Sequence, residues 1–100
     1  MSNRRKDGSS FSPAEIQAVW EKAQIINIYE KDTKRKDRCR ATIYRNEYGN
    51  TNTSCGWEVD HIHPAALGGS DDLSNLQPLQ WKNNRSKGDS TSGGYCVVTY

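Results

Sequence analysis

The sequence predicts an α+β domain: a small strand–turn–strand–helix core with one further helix added on its N-terminal side. Three observations carry this. Gly56 to His61 is an apolar, β-like run that Pro64 ends, because proline cannot donate a ladder hydrogen bond. Leu76 to Gln80 is a second such run, reached through a loop that holds Gly68-Gly69, and Trp81 to Lys87 follows as a helix that Gly88 can stop. Ser12-Pro13-Ala14-Glu15 opens the additional helix, with a capping serine, proline at the first helical position and glutamate three residues after the cap.

In chain order, residues 1–11 are polar and carry Arg4, Arg5 and Lys6, and are read as a flexible basic tail. Residues 12–100 form one domain with its core motif at 56–89, since 100 residues make one domain at most. Ile16, Val19, Trp20 and Ala23 share a helical face, which predicts a helix over 13–24 with Trp20 as a core anchor rather than a base-stacking group. Residues 27–40 are charged and aperiodic, a long loop with room for a helical turn. Thr42, Ile43 and Tyr44 are β-formers, so 40–48 holds a short strand or an irregular segment. Tyr48 to Ser54 is turn-rich. In the first motif strand Trp57, Val59 and Ile62 are the packing groups. Pro78 marks the second as short or at an edge. Tyr95 to Tyr100, after Gly93-Gly94, is read as an added edge strand.

Hydrophobic residues make up 33% of the chain and charged ones 26%, so the core is small. Such chains often lean on a metal, a disulfide or a partner. The net charge of +2 announces no partner by itself. Its distribution says more: Arg4 to Lys6, then Lys31, Lys34, Arg35, Lys36, Arg38 and Arg40, then Lys82, Arg85 and Lys87. Phosphate contacts supply most non-specific nucleic-acid affinity, so three basic groups suit that ligand. The middle group fits a solvated surface equally well. Cys39, Cys55 and Cys96 hold no Cys-x-x-Cys pair and cannot make a four-cysteine zinc site. An odd count without a signal-like apolar stretch predicts free thiols in a reducing, cytoplasmic setting, with a Cys39–Cys55 bridge left open. No segment approaches the ~20 apolar residues of a membrane span.

The chemistry lies in Trp57-Glu58-Val59-Asp60-His61-Ile62-His63-Pro64. Phosphodiester hydrolysis must deprotonate a water, stabilise charge on the phosphoryl oxygens and neutralise the leaving 3′ oxygen. His61 suits the first task, because an unperturbed imidazole titrates near ~6.5 and is largely neutral at physiological pH. Asp60 suits a hard divalent cation, and Asn84 can add a neutral oxygen. Oxygen ligands and few protein contacts favour Mg²⁺, with Mn²⁺ as a stand-in.

These residues, in this order, resemble the HNH endonuclease family, in its subgroup without a zinc ribbon. Asp60 matches the metal-binding position before the first motif histidine, and His61 matches that histidine, the general base. Asn75, in Leu73-Ser74-Asn75-Leu76, matches the central asparagine that pins the loop to the base-bearing strand. Asn84 matches the last motif position, which completes the metal site from the helix. Lys87 matches a basic position near substrate phosphate. Many small members carry cysteines before that last position, half of a structural zinc site; here Gln80 and Asn83 stand there, so no structural zinc is expected and Trp57, Trp81, Trp20 and Ile62 are expected to pack instead. The resemblance implies a metal-dependent DNA endonuclease that leaves 5′-phosphate and 3′-hydroxyl ends.

Simpler readings stand beside these. An Asp-His pair alone is common by chance. His63 shares a strand side with His61 if the strand continues; it is a surface histidine in the simpler reading and a third metal ligand or a phosphate contact in the other. Lys82 and Arg85 join Lys87 as candidate DNA contacts. Glu58 fits a salt bridge better than a metal role. Asp71 and Asp72 are read as turn residues. One metal site implies double-stranded DNA nicked one strand at a time, by a bacterial or phage-encoded enzyme of open oligomeric state. Two alternatives remain: a non-catalytic nucleic-acid-binding module of the same fold, and a toxin nuclease neutralised by an inhibitor protein. Target sequence, and DNA against RNA, stay open.

Overall fold

A computed structural model describes residues 3–100. Among them, two α-helices and two antiparallel sheets make the α+β domain. Helix α1 spans Pro13–Trp20. Its capping box is complete: the Ser12 hydroxyl accepts the Glu15 N–H at 3.1 Å, and the Glu15 carboxylate accepts the Ser12 N–H at 2.9 Å. The helix ends before residue 24, because the Lys22 and Ala23 N–H groups turn back to the Val19 and Trp20 carbonyls. Ala23 stays in the core beyond the helix.

The charged stretch after α1 holds the expected helical turn, at Ile28–Glu30, and also an unexpected strand. It folds into a meander of β1 (Gln24–Ile25), β2 (Lys34–Lys36) and β3 (Thr42–Tyr44), with Arg35 opposite both Ile25 and Ile43. A Lys-Arg-Lys strand shows no apolar alternation, which is why the sequence hides it. Arg35 is buried, its guanidinium 5.8 Å from the Trp20 ring, and it donates to the Lys31, Glu21 and Ala23 carbonyls at 2.7, 3.1 and 3.1 Å. It is a structural residue of the middle basic group, with no free face for phosphate.

The hairpin and helix fall where the sequence places them. Strands β4 (Trp57–His61) and β5 (Leu76–Gln80) pair antiparallel, from Trp57 opposite Gln80 to His61 opposite Leu76. Pro78 is tolerated because this sheet has only two strands. Helix α2 (Trp81–Lys87) starts at once, its first N–H groups capped by the Gln80 side chain at 2.7 and 3.1 Å. The core holds Phe11, Val19, Trp20, Ala23, Ile43, Trp57, Val59 and Leu76, with Trp57 5.4 Å from Trp20 and 5.0 Å edge-on from Tyr48. Two of the expected packing groups differ. Ile62 is 37% exposed. Trp81 is half-buried and donates its indole N–H to the Thr53 carbonyl at 2.8 Å.

Both chain ends are tied down. In the expected flexible tail, Phe11 is a core residue, and the Asn3 side chain accepts the Val59 N–H at 2.9 Å and the Tyr48 hydroxyl at 2.7 Å. Asn3 and Phe11 are therefore fixed against the domain, while Arg4, Lys6, Asp7, Ser9 and Ser10 between them are exposed; residues 1 and 2 of that tail lie outside the described residues. The expected C-terminal strand does not form. Its backbone N–H groups at Val97 and Val98 are met at 2.8 Å by one side-chain oxygen, that of Asn83, instead of by a neighbouring strand. Cys96 is bonded to Cys39, with a Cα–Cα distance of 5.4 Å, which corrects both the free-thiol expectation and the Cys39–Cys55 alternative. Cys55 is free. No helix among the described residues is long and apolar enough to cross a membrane.

Candidate active site

Strand alternation divides the motif between two faces of β4. Glu58 and Asp60 face α2, while Trp57 and Val59 pack toward α1 and the His61 ring lies 5.9 Å from Phe11. On α2, Asn84 and Lys87 are three residues apart and so share a helix face. Asn84 donates its amide N–H to Glu58 at 2.9 Å, and Lys87 lies 3.2 Å from Asp60. Glu58 also pairs with Arg85 at 3.0 Å, the salt bridge its position suggested.

Asp60 is buried beside two side chains that hold it. Lys87 contacts Oδ1, the Gln77 amide donates to Oδ2 at 2.9 Å, and Lys87 also donates to the His61 carbonyl at 2.9 Å. Burial pushes the Asp60 carboxyl above the usual carboxylate range; the Gln77 hydrogen bond and the Lys87 charge oppose this without cancelling it. Lys87, whose family position implies a place near substrate phosphate, is buried here and is the counter-charge of Asp60.

His61 Nε2 lies 2.7 Å from Asp71 Oδ1. Asp71 in turn accepts the Lys6 N–H at 3.0 Å and lies 3.5 Å from the Arg5 guanidinium. Burial alone would raise the Asp71 carboxyl, but the His61 and Lys6 hydrogen bonds and the Arg5 charge outweigh it and hold Asp71 below the usual range. An ionised Asp71 accepts Nε2–H and so fixes the tautomer in which His61 Nδ1 carries the lone pair. Sequence reasoning missed this residue. Asp71 and Asp72 look alike in the loop, and only the fold shows that Asp72 accepts from Ser70 while Asp71 reaches His61.

Asn75 acts on the loop and not on the cavity. Its amide accepts the His63 N–H at 2.8 Å and donates to the His63 and Ser70 carbonyls at 3.0 and 2.8 Å. Gly69 makes this closure possible, since a Cβ there would lie 1.8 Å from the His63 carbonyl oxygen. His63 is exposed, its ring nitrogen 3.1 Å from the Leu67 carbonyl. Lys82 is exposed, 5.5 Å from the Trp81 ring.

A cavity of about 50 Å³ opens beside β4, lined by Asp60, His61, Asn84, Asn3 and Asp89 among others. Among the described residues, Asn84 Oδ1 and His61 Nδ1 have no hydrogen-bond partner, yet no buried side-chain polar atom is left unsatisfied. Both residues line this cavity. Glu58 accepts from the Asn84 amide nitrogen, and the amide oxygen keeps its lone pairs for a ligand. An ionised carboxylate offers about four lone-pair sites, so Asp60 keeps capacity beyond Lys87 and Gln77. The donors thus fit an oxygen-loving divalent cation that retains several waters. No cluster of three or more His, Cys, Asp or Glu among the described residues offers a richer site.

Gln80 and Asn83, at the positions of zinc cysteines in the resembling family, form an amide network instead. Both are fully buried. Asp37 accepts the Gln80 N–H and the Asn83 amide at 2.9 and 3.2 Å, and Asn83 grips the C-terminal segment.

A family model described as HNH endonuclease matches residues 38–90, just over half of the chain and all of the hairpin and helix that build the cavity. No curated protein and no solved structure matches the chain.

Proposed function

The chain belongs to the HNH endonuclease family, and from that premise we propose that it hydrolyses DNA phosphodiester bonds at the cavity formed by Asp60, His61 and Asn84. The observation that carries this is that an imidazole held by Asp71, a buried carboxylate and a buried amide line one small cavity. His61 Nδ1 takes the proton from water as its oxygen attacks phosphorus. The bond to the 3′ oxygen breaks, leaving a 5′-phosphate and, once that oxygen is protonated, a 3′-hydroxyl. Asp71 holds the imidazole in the accepting tautomer and favours the imidazolium that forms. A divalent cation on Asp60 and Asn84, Mg²⁺ or Mn²⁺, would supply Lewis-acid stabilisation of the phosphate and the leaving oxygen. Asn75 keeps the loop on the far side of His61 in place. One such site nicks duplex DNA one strand at a time.

A second reading shares the chemistry and differs in setting: an exported toxin nuclease with an inhibitor protein. The Cys39–Cys96 bond favours it over a cytoplasmic enzyme, because disulfides persist in oxidising compartments.

The test is cleavage of supercoiled plasmid by wild type and His61→Ala, each with Mg²⁺, Mn²⁺ or EDTA. Metal-dependent nicking that the variant loses is the expected result. Full activity in His61→Ala would remove His61 as the base. A folded wild type that binds duplex but never cuts would leave a non-catalytic binding module.

A further inference from the structure

Beside the cavity, and separate from it, two clefts meet at Arg38, Ile62 and Gln77. One, of about 290 Å³, runs past Lys36 and Lys22. The other, of about 150 Å³, runs past Lys87, Tyr95 and Cys96. Together they form one trench along the chain just after His61, and its rim is basic.

Lys87 is paired with Asp60, and the other cations of this trench have no carboxylate partner among the described residues. Lys22 donates to the Leu73 carbonyl at 2.7 Å and to that of Leu76, and Lys36 donates to the Arg40 carbonyl at 3.0 Å. Arg38 is exposed and makes no ion pair among the described residues. An ammonium has three donors, so one or two carbonyl contacts leave a donor and the whole charge for an anion. The one acid of the trench, Asp37, is buried, and its carboxylate accepts four hydrogen bonds, from the Cys39, Ala41 and Gln80 N–H groups and the Asn83 amide. The trench is also rigid. The Cys39–Cys96 bond joins the segment carrying Arg38 to the wall that holds Tyr95.

We propose that this trench carries one strand of the DNA substrate, with Arg38 and Lys36 contacting phosphates that flank the scissile one. The proposal rests on the reading of the His61 cavity as a DNA-cleaving site. Its residues differ from the DNA contacts suggested by the motif itself. Arg85 is paired with Glu58 and Lys87 with Asp60, so the sequence's third basic group is largely neutralised, while two members of its middle group line the trench.

Fluorescence anisotropy with a labelled duplex of about 20 base pairs, in EDTA so that nothing is cut, tests this at about 0.1 M salt. The Lys36→Ala/Arg38→Ala pair is compared with Lys31→Ala/Lys34→Ala, which removes equal charge elsewhere. The trench pair should lose roughly tenfold in affinity, with the salt slope falling by about one to two, and the control pair less than about twofold. Equal losses in both pairs, or none in the trench pair, overturn the track. So does displacement of the DNA by polyglutamate at matched charge, or tighter binding of an RNA duplex. If the trench pair fails to fold, Arg38→Gln alone decides: a loss of about threefold supports the track and unchanged affinity overturns it. Wild-type nicking of plasmid with Mn²⁺ is read separately. Selective loss of binding in a protein that never nicks supports the track while removing the cleavage reading.

Discussion

His61 and Asp71 meet at 2.7 Å although ten residues separate them, and Asp71 is itself held by Lys6 and Arg5 from the N-terminal segment. The imidazole is thus fixed from the side opposite its open nitrogen. A base held in one tautomer keeps its lone pair where the water must be, which raises the turnover step more than substrate affinity. Asp71→Asn should lower kcat by roughly 10- to 100-fold with little change in KM. His61→Ala should lower it by about 10²- to 10⁴-fold, the usual worth of a general base. Initial rates of nicking over a range of DNA concentrations measure both. An Asp71→Asn enzyme that loses only KM would make Asp71 a substrate contact instead.

The same contact gives a pH dependence of stability. The Asp71 carboxyl titrates below its unfolded value, so the folded state holds fewer protons there. Its contribution is fully present above the unfolded pKa of about 3.9 and is lost as pH falls through the lower folded value. Thermal midpoints of wild type should therefore decline between about pH 5 and pH 3 more steeply than those of Asp71→Asn. Parallel curves would mean that the carboxylate contributes nothing to acid stability.

Lys87 and Asp60 form a buried pair, with side chains 4% and 6% exposed. Removing one partner of such a pair leaves an uncompensated charge, at a cost of about 3–5 kcal/mol. Lys87→Met should be destabilised by about that amount in EDTA. Added Mn²⁺ should restore part of it, because a cation on Asp60 replaces the missing charge. Asp60→Asn should lose metal affinity by at least about tenfold, since it removes the site's one charged ligand. Urea unfolding with and without Mn²⁺, together with calorimetric titration, checks both. A Lys87→Met protein that gains no more stability from Mn²⁺ than wild type would place the cation away from Asp60.

The parts of the site legible in the sequence are those that one hairpin and one helix bring together. Asp60, His61, Asn75 and Asn84 lie at short, fixed offsets, and strand and helix periods give their sides. Apart from Asp71, which lies in the loop of the hairpin itself, the residues that escaped notice act across long separations. Asp37 gathers the Gln80 N–H and the Asn83 amide from more than forty residues away. Arg35 lies beneath Trp20 in a strand whose Lys-Arg-Lys sequence has no apolar period. Asn3 and Phe11 belong to a polar N-terminal stretch and are fixed by groups far along the chain or in the core. Local pattern carries no trace of such contacts, and a small core depends on them heavily.

The disulfide belongs with those long-range ties. Cys39 and Cys96 are 57 residues apart, and closing a loop of that length removes enough freedom from the unfolded chain to stabilise the fold by up to about 4 kcal/mol. The bond also anchors the C-terminal segment, which otherwise depends on the Asn83 side chain and a 3.4 Å contact between the Thr42 N–H and the Tyr100 carbonyl. Reduction, or Cys39→Ser, should therefore lower unfolding stability by about 2–4 kcal/mol and expose the Asn83 network to hydrogen exchange. Because β4, the His61–Asp71 contact and the cavity do not involve that segment, metal affinity should change less than about twofold below the melting transition. Urea melts with and without reductant, paired with hydrogen exchange resolved over residues 83–100, read both effects. Equal stability in the two redox states would mean that the amide network alone holds the C-terminus.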